Sequence, residues 1–66
     1  MSKNKFSERL KDLREEKGLT QNQLAKAISA DVNRYERGLA KPNIEMIIKV
    51  CEFFGCTSDY LIGLED

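Results

Sequence analysis

Apolar residues recur along this chain at the spacing of a helix. Phe6, Leu10 and Leu13 fall at i, i+4 and i+7, and Gly18 follows as a left-handed stop, which predicts a first helix over about residues 6–17. Later apolar positions repeat this spacing, and no segment alternates β-branched and polar residues. The pattern therefore predicts an all-α fold.

A second stripe begins at Thr20, which stands three residues before Gln23 in the spacing of a capping box. No glycine or proline interrupts the chain over residues 20–37. The apolar residues that follow fall at i, i+4, i+8 and i+11 along one unbroken helical face: Leu24, Ile28, Val32 and Tyr35. We predict that the second and third helices merge into one, from about Thr20 to Arg37.

A merged helix would carry the last two helices away from the first. The exposed apolar faces would then be covered by a second chain in a domain-swapped dimer. The alternative keeps a tight turn near Ser29, with Ser29 or Asp31 capping a short third helix.

The C-terminal third of the chain has clearer signals for where helices begin and end. Asn43 is a good N-cap directly after the only proline, and it predicts a helix over about residues 44–54 that Gly55 closes. The run Thr57-Ser58-Asp59 then offers an N-cap for a short last helix.

Length and composition fit one small globular domain over residues 1–66. Hydrophobic residues make up 41% and charged residues 33% of the 66 residues, a balance typical of folded, soluble proteins. No apolar run is long enough for a membrane span, and no signal peptide is expected at the basic N-terminus. These features predict a cytoplasmic protein whose two cysteines, Cys51 and Cys56, are reduced.

The net charge is zero, but the charges are unevenly distributed. Residues 1–41 carry ten Lys or Arg and six Asp or Glu, a balance of +4, whereas residues 42–66 carry one Lys and five Asp or Glu, a balance of −4. This asymmetry suggests a basic face that meets an anion and an acidic face elsewhere, although two ordinary solvated faces would give the same count.

The residue types for most catalysis are missing. The chain has no histidine, no nucleophile paired with a base, no glycine-rich phosphate loop and no metal-ligand cluster. We therefore expect no enzyme activity, no cofactor, no metal and no small-molecule ligand.

An ordered set of residues carries a family resemblance. It comprises Leu19-Thr20-Gln21, Leu24-Ala25 and Ile28, then Arg34-Tyr35-Glu36-Arg37-Gly38 with Lys41-Pro42, and the tail Cys56-Thr57-Ser58-Asp59-Tyr60-Leu61-Ile62-Gly63. The set resembles the phage-repressor and Cro-like helix-turn-helix family, also called the XRE family. The resemblance implies a small lambda-repressor-like bundle of about five helices, and a sequence-specific transcriptional regulator of the repressor type that binds double-stranded DNA.

The resemblance also assigns roles to single residues. Gln21 at the start of the second helix and Lys41 in the loop after the third would bind phosphates. Asn33, Arg34 and Arg37 would lie on the reading helix, where asparagine suits adenine and arginine suits guanine or phosphate. Each of these side chains, taken without the family pattern, would be read as simply solvated.

Arg14 and Glu36 match family positions that form an ion pair between the first and third helices.

The turn between the second and third helices departs from the family. Only Ser29-Ala30-Asp31 separates Ile28 from Val32, about three residues fewer than the family uses for its glycine-containing turn. The shortened turn keeps a second hypothesis open, in which the chain is a protein-interaction or dimerisation module with impaired DNA reading.

The last helix is too apolar for an exposed end, and a single short domain rarely reads DNA tightly alone. We therefore expect a homodimer that uses four residues of this segment: Tyr60, Leu61, Ile62 and Leu64.

Overall fold

A computed structural model describes residues 5–64, and within that range every regular element is helical. The five helices are α1 (Phe6–Glu16), α2 (Gln21–Ile28), α3 (Val32–Glu36), α4 (Ile44–Phe54) and α5 (Ser58–Ile62). The predicted all-α bundle of five helices is therefore confirmed. Within the described range, no helix has the length and apolar character needed to cross a membrane.

Three helix starts follow the predicted caps. Thr20 and Gln23 form a complete capping box: the Thr20 hydroxyl accepts from Gln23 N at 3.1 Å, and Thr20 N donates to Gln23 Oε1 at 2.9 Å. The Asn43 side chain accepts from the third amide of α4, and the Thr57 hydroxyl accepts from the third amide of α5. These caps fix where the helices begin before any packing is considered.

All five helices contribute to one core. Helix α1 packs on α3 and α5, while α2 packs on α3 and α4. The buried side chains are Phe6, Leu10, Leu24, Ile28, Val32, Met46, Val50 and Leu61. Those of α1 to α3 lie on the stripes predicted from the periodicity. In α4 the prediction was wrong: the spacing favoured a face with Ile44 and Ile48, which are 75% and 50% exposed, and the buried residues are Met46 and Val50.

The prediction of one helix from Thr20 to Arg37 is wrong. Helix α2 ends at Ile28, and Ser29 adopts the left-handed conformation with φ 54° and ψ 52°. Asp31 then caps α3, because its side chain accepts from Arg34 N at 3.3 Å. The alternative of a tight turn near Ser29 is the observed one.

The turn is possible because Ser29 takes the conformation that glycine usually supplies at a helix end. The chain reverses through a bond from Ala30 N to Ala25 O at 3.1 Å, the six-to-one closure of a Schellman corner. Val32 and Ile28 consequently face one core within a single chain. The long rod that motivated a domain swap is therefore absent from the structure.

Candidate nucleic-acid interface

The starts of α2 and α3 lie side by side and are joined through their side chains. Gln21 is the first residue of α2, and Asn33 is the second residue of α3. Asn33 Nδ2 donates to Gln21 Oε1 at 3.2 Å, and Gln21 Nε2 donates to Glu36 Oε1 at 3.0 Å. The amide of Gln21 thus links both ends of α3.

This chain of hydrogen bonds is anchored by Arg14 on α1. Arg14 Nε donates to Glu36 Oε2 at 2.6 Å and Arg14 Nη2 donates to Glu36 Oε1 at 3.1 Å, so the two planar groups meet through two bonds. A further bond joins Arg14 Nη1 to Leu19 O at 2.8 Å, just before α2. The ion pair expected from the resemblance therefore ties together α1, the start of α2 and the end of α3. We call the set Arg14, Glu36, Gln21 and Asn33 the polar network.

The polar network runs from the core edge to the surface. The side chains of Arg14 and Glu36 are 12% and 4% exposed, whereas Asn33 is exposed. The hydrogen bond and the charge of Glu36 raise the pKa of Arg14 above its ordinary value, against a smaller opposing effect of burial. The Arg14 guanidinium thus holds Glu36 in place, and Glu36 in turn fixes the amide of Gln21, which accepts from Asn33.

The remaining DNA-contact candidates are cations on the surface. Arg34 and Arg37 lie on and just after α3, and Lys41 lies in the loop before α4; all three are exposed. Within residues 5–64, none of these side chains makes a hydrogen bond or ion pair. Arg34 directly follows Asn33, the outermost member of the polar network, along α3.

Two features of this region escaped the sequence reasoning. Gln21, expected to bind phosphate through its side-chain amide and the helix N-terminus, also uses both amide atoms within the polar network. Lys49 on α4 donates from Nζ to Ile28 O at 3.1 Å and so caps the end of α2. These contacts join residues 12 or more positions apart, so no local spacing could have indicated them.

The four residues expected at a dimer interface differ in how far they are exposed. Leu61 was expected at a dimer interface, but its side chain is 0% exposed and belongs to the core of its own chain. This assignment needs correction because the inward face of α5 carries Leu61. Tyr60 and Ile62 are half-buried, with Arg9 4.2 Å from the centre of the Tyr60 ring, and Leu64 is 74% exposed.

The geometry is that of two helices meeting at a short turn with their starts on one side. Consistent with this, the helix-turn-helix family model HTH_3 matches residues 10–61. The chain belongs to the XRE-type helix-turn-helix family. The match extends from α1 to α5, so it includes the whole polar network.

Curated relatives of this helix-turn-helix chain are regulators by name. It is 36% identical over 64 residues to the HTH-type transcriptional activator BcrR of Enterococcus faecalis, covering 92% of this chain and 31% of the relative. It is 36% identical over 53 residues to the cryptic phage CTXphi transcriptional repressor RstR of Vibrio cholerae, covering 76% and 48%. The chain thus spans between about a third and a half of the length of these relatives.

A solved structure has the same fold. The crystal structure of a transcriptional regulator from Listeria innocua aligns with a TM-score of 0.86 and 31% identity, over 98% of this chain and 64% of that chain. The five-helix arrangement is therefore close to that of an experimentally determined transcriptional regulator.

Proposed function

We propose that this chain is the DNA-binding domain of a transcriptional regulator and that it grips double-stranded DNA with the starts of α2 and α3. The observation that carries the proposal is the polar network, which joins these two helix starts and holds their amides in fixed positions. Membership of a family of transcriptional regulators supports it. The protein would act in the compartment that holds the DNA, which is the cytoplasm in a bacterium.

Asn33 is the proposed base-reading residue. An asparagine amide has two N–H donors and one oxygen acceptor, and Gln21 occupies one of the donors. The second N–H and Oδ1 together match N7 and the N6 amino group of adenine in the major groove. Gln21 would therefore orient the Asn33 amide toward an adenine, in addition to any phosphate contact.

The exposed cations would bind the DNA backbone. Arg34, Arg37 and Lys41 have no protein partner within residues 5–64, so they can neutralise phosphates without first breaking an ion pair. The first backbone amides of α2 add a second phosphate site, because a helix leaves its first N–H groups without intrahelical partners and Thr20 occupies only that of Gln23. Gln21 would hold that phosphate mainly through its backbone N–H.

A homodimer on a two-fold symmetric site is part of the proposal. Leu64 exposes an apolar side chain at the end of α5, beside the half-buried Tyr60 and Ile62. With Leu61 removed from the set, these three residues form the proposed contact. Two copies of one reading helix would bind two half-sites about one helical turn of DNA apart.

One observation favours the second candidate, a protein-interaction module. Helix α3 has five residues, fewer than two turns, and its first residue, Val32, is buried. Few of its side chains can therefore reach base edges, which would weaken sequence reading more than phosphate binding.

The test is DNA binding by the full chain, measured by fluorescence anisotropy over a range of salt concentrations. On a random-sequence duplex, Arg37→Gln and Lys41→Gln should each weaken binding and lower the salt slope by about one. Lys11→Gln is the matched control, because Lys11 is an exposed cation of α1 outside the proposed DNA and dimer contacts, and it should change neither quantity. Binding that is absent at low salt, or a salt slope that neither variant changes, would favour the interaction module.

A further inference from the structure

Cys51 and Cys56 lie on either side of the glycine that ends helix α4. Helix α4 ends at Phe54, and Gly55 follows in the left-handed conformation with φ 71° and ψ 34°. Cys51 O accepts from Gly55 N at 2.7 Å and from Cys56 N at 3.1 Å. In such a corner, the side chains at these two positions on either side of the glycine meet each other.

A cysteine occupies each of these two positions, so the two thiols lie on the same side of the corner. Both are free cysteines, half-buried against the core. Burial is the main cause that raises the pKa of Cys56 to about 11. Within residues 5–64, no group of three or more His, Cys, Asp or Glu side chains forms, so the pair lacks the further ligands of a tetrahedral zinc site.

We propose that Cys51 and Cys56 are a reversible oxidation site that a two-electron oxidant, glutathione disulfide, closes into an internal disulfide. One cysteine, as its thiolate, attacks a sulfur of the oxidant, which forms a mixed disulfide and releases one glutathione. The second thiolate then attacks the protein sulfur and releases the other glutathione. The protein dithiol loses two electrons and two protons, and glutathione disulfide gains both to become two thiols.

The backbone geometry favours the internal bond. The two residues are joined directly by the 3.1 Å bond from Cys56 N to Cys51 O. Such a bond is compatible with the separation of about 4–7 Å between α-carbons that a disulfide requires. The fold therefore holds the thiols together without the loop closure that an unfolded chain would need.

The disulfide would act on the joint between α4 and α5. Cys51 lies in the last turn of α4, and Cys56 directly precedes Thr57, the N-cap of α5. The bond would fix the angle at which α5 presents Leu64. The raised pKa of Cys56 keeps that thiol protonated at neutral pH, so its reaction with the oxidant would be slow.

The experiment equilibrates the reduced full chain with glutathione buffers of increasing oxidised fraction, then quenches the reaction and analyses products by mass spectrometry. We expect an internal disulfide, seen as the loss of two hydrogen atoms, with mixed glutathione adducts as a minor product. The effective concentration of the two thiols should be at least about tenfold higher in the folded chain than in denaturant, where a short flexible segment gives a millimolar value.

Two single variants serve as controls. Cys51→Ser and Cys56→Ser should each take up one glutathione and form no internal bond. Circular dichroism of the oxidised chain should show unchanged helix content and a higher melting temperature. Mixed adducts or intermolecular disulfides as the main product, equal values with and without denaturant, or loss of helix on oxidation would each overturn the proposal.

Discussion

Two corners of this molecule follow the same backbone path with different residues. The α2–α3 corner passes through Ser29 at φ 54°, and the α4–α5 corner passes through Gly55 at φ 71°. Each closes with a six-to-one bond of 3.1 Å, from Ala30 N to Ala25 O and from Cys56 N to Cys51 O. Each also leads into a five-residue helix capped by a side chain.

The difference lies in what holds the two corners. A side chain in the left-handed region costs about 1–2 kcal/mol, which glycine avoids. The serine corner has two polar supports: Lys49 caps the end of α2, and the ion pair of Arg14 with Glu36 fastens the end of α3. The glycine corner is instead fastened by Leu61 in the core. Polar contacts from distant helices thus stabilise a turn that its local sequence does not favour.

The largest predicted effect comes from removing the carboxylate that fastens α3. Glu36→Ala leaves Arg14 partly buried without its partner and should lower the free energy of unfolding by about 3 kcal/mol, measured by urea denaturation. Glu15→Ala is the control, since Glu15 Oε2 lies 3.9 Å from Arg14 Nη2 but its side chain is 56% exposed. Equal losses in the two variants would mean that the ion pair does not fasten α3.

A smaller effect is predicted for the support at the other side of the serine corner. Lys49→Met keeps most of the side-chain length and removes the bond to Ile28 O, so it should lower the free energy of unfolding by about 1.5 kcal/mol. Lys26→Met, at an exposed position of α2, should change stability by less than about 0.5 kcal/mol. A loss in Lys26→Met as large as that in Lys49→Met would contradict the capping role.

Exchanging the corner residues should change stability in opposite directions. Gly55→Ser should lower the free energy of unfolding by about 1 kcal/mol through backbone strain alone, because a Cβ at this position meets no atom within 4 Å. Ser29→Gly should raise it by about 0.5–1 kcal/mol, with thermal melting as the measurement. If both variants were less stable than the original chain, the Ser29 side chain would make a stabilising contribution that outweighs the cost of its left-handed conformation.

The helix starts near these corners were predictable from the sequence, whereas the break at Ser29 was not. Caps such as Thr20 and Asn43 act within three residues, so the starts of α2 and α4 were predicted correctly. The break at Ser29 was missed because two helices that share one core keep the same apolar spacing as one long helix. The bond of Gln21 to Glu36 depends on how α3 packs, which local spacing does not encode.

The last predicted effect is a pH response confined to the glycine corner, which appears only in alkaline solution. Burial raises the pKa of Cys56 from an ordinary value of 9.0 to about 11, so the folded chain holds this proton more tightly than the unfolded chain. The resulting stability is complete below pH 9 and is lost as the pH rises towards 11. The equivalent position of the serine corner, Ala30, has no titratable group.

Urea denaturation under reducing conditions tests this response by comparing the original chain with Cys56→Ser. The stability of the original chain relative to the variant should fall between pH 9 and 11. A difference that stays constant over this range, or that grows, would contradict the assignment.

The most direct test of the central claim is a titration of the isotopically labelled chain with a DNA duplex, followed by NMR of backbone and side-chain amides. If the starts of α2 and α3 bind DNA, the largest shifts will be at Gln21 and Asn33, including their side-chain NH₂ groups, and at the cations Arg37 and Lys41. Amides of α4, such as those around Val50, should change little. Shifts confined to α4 and α5, with the side-chain amides of Gln21 and Asn33 unchanged, would contradict the account.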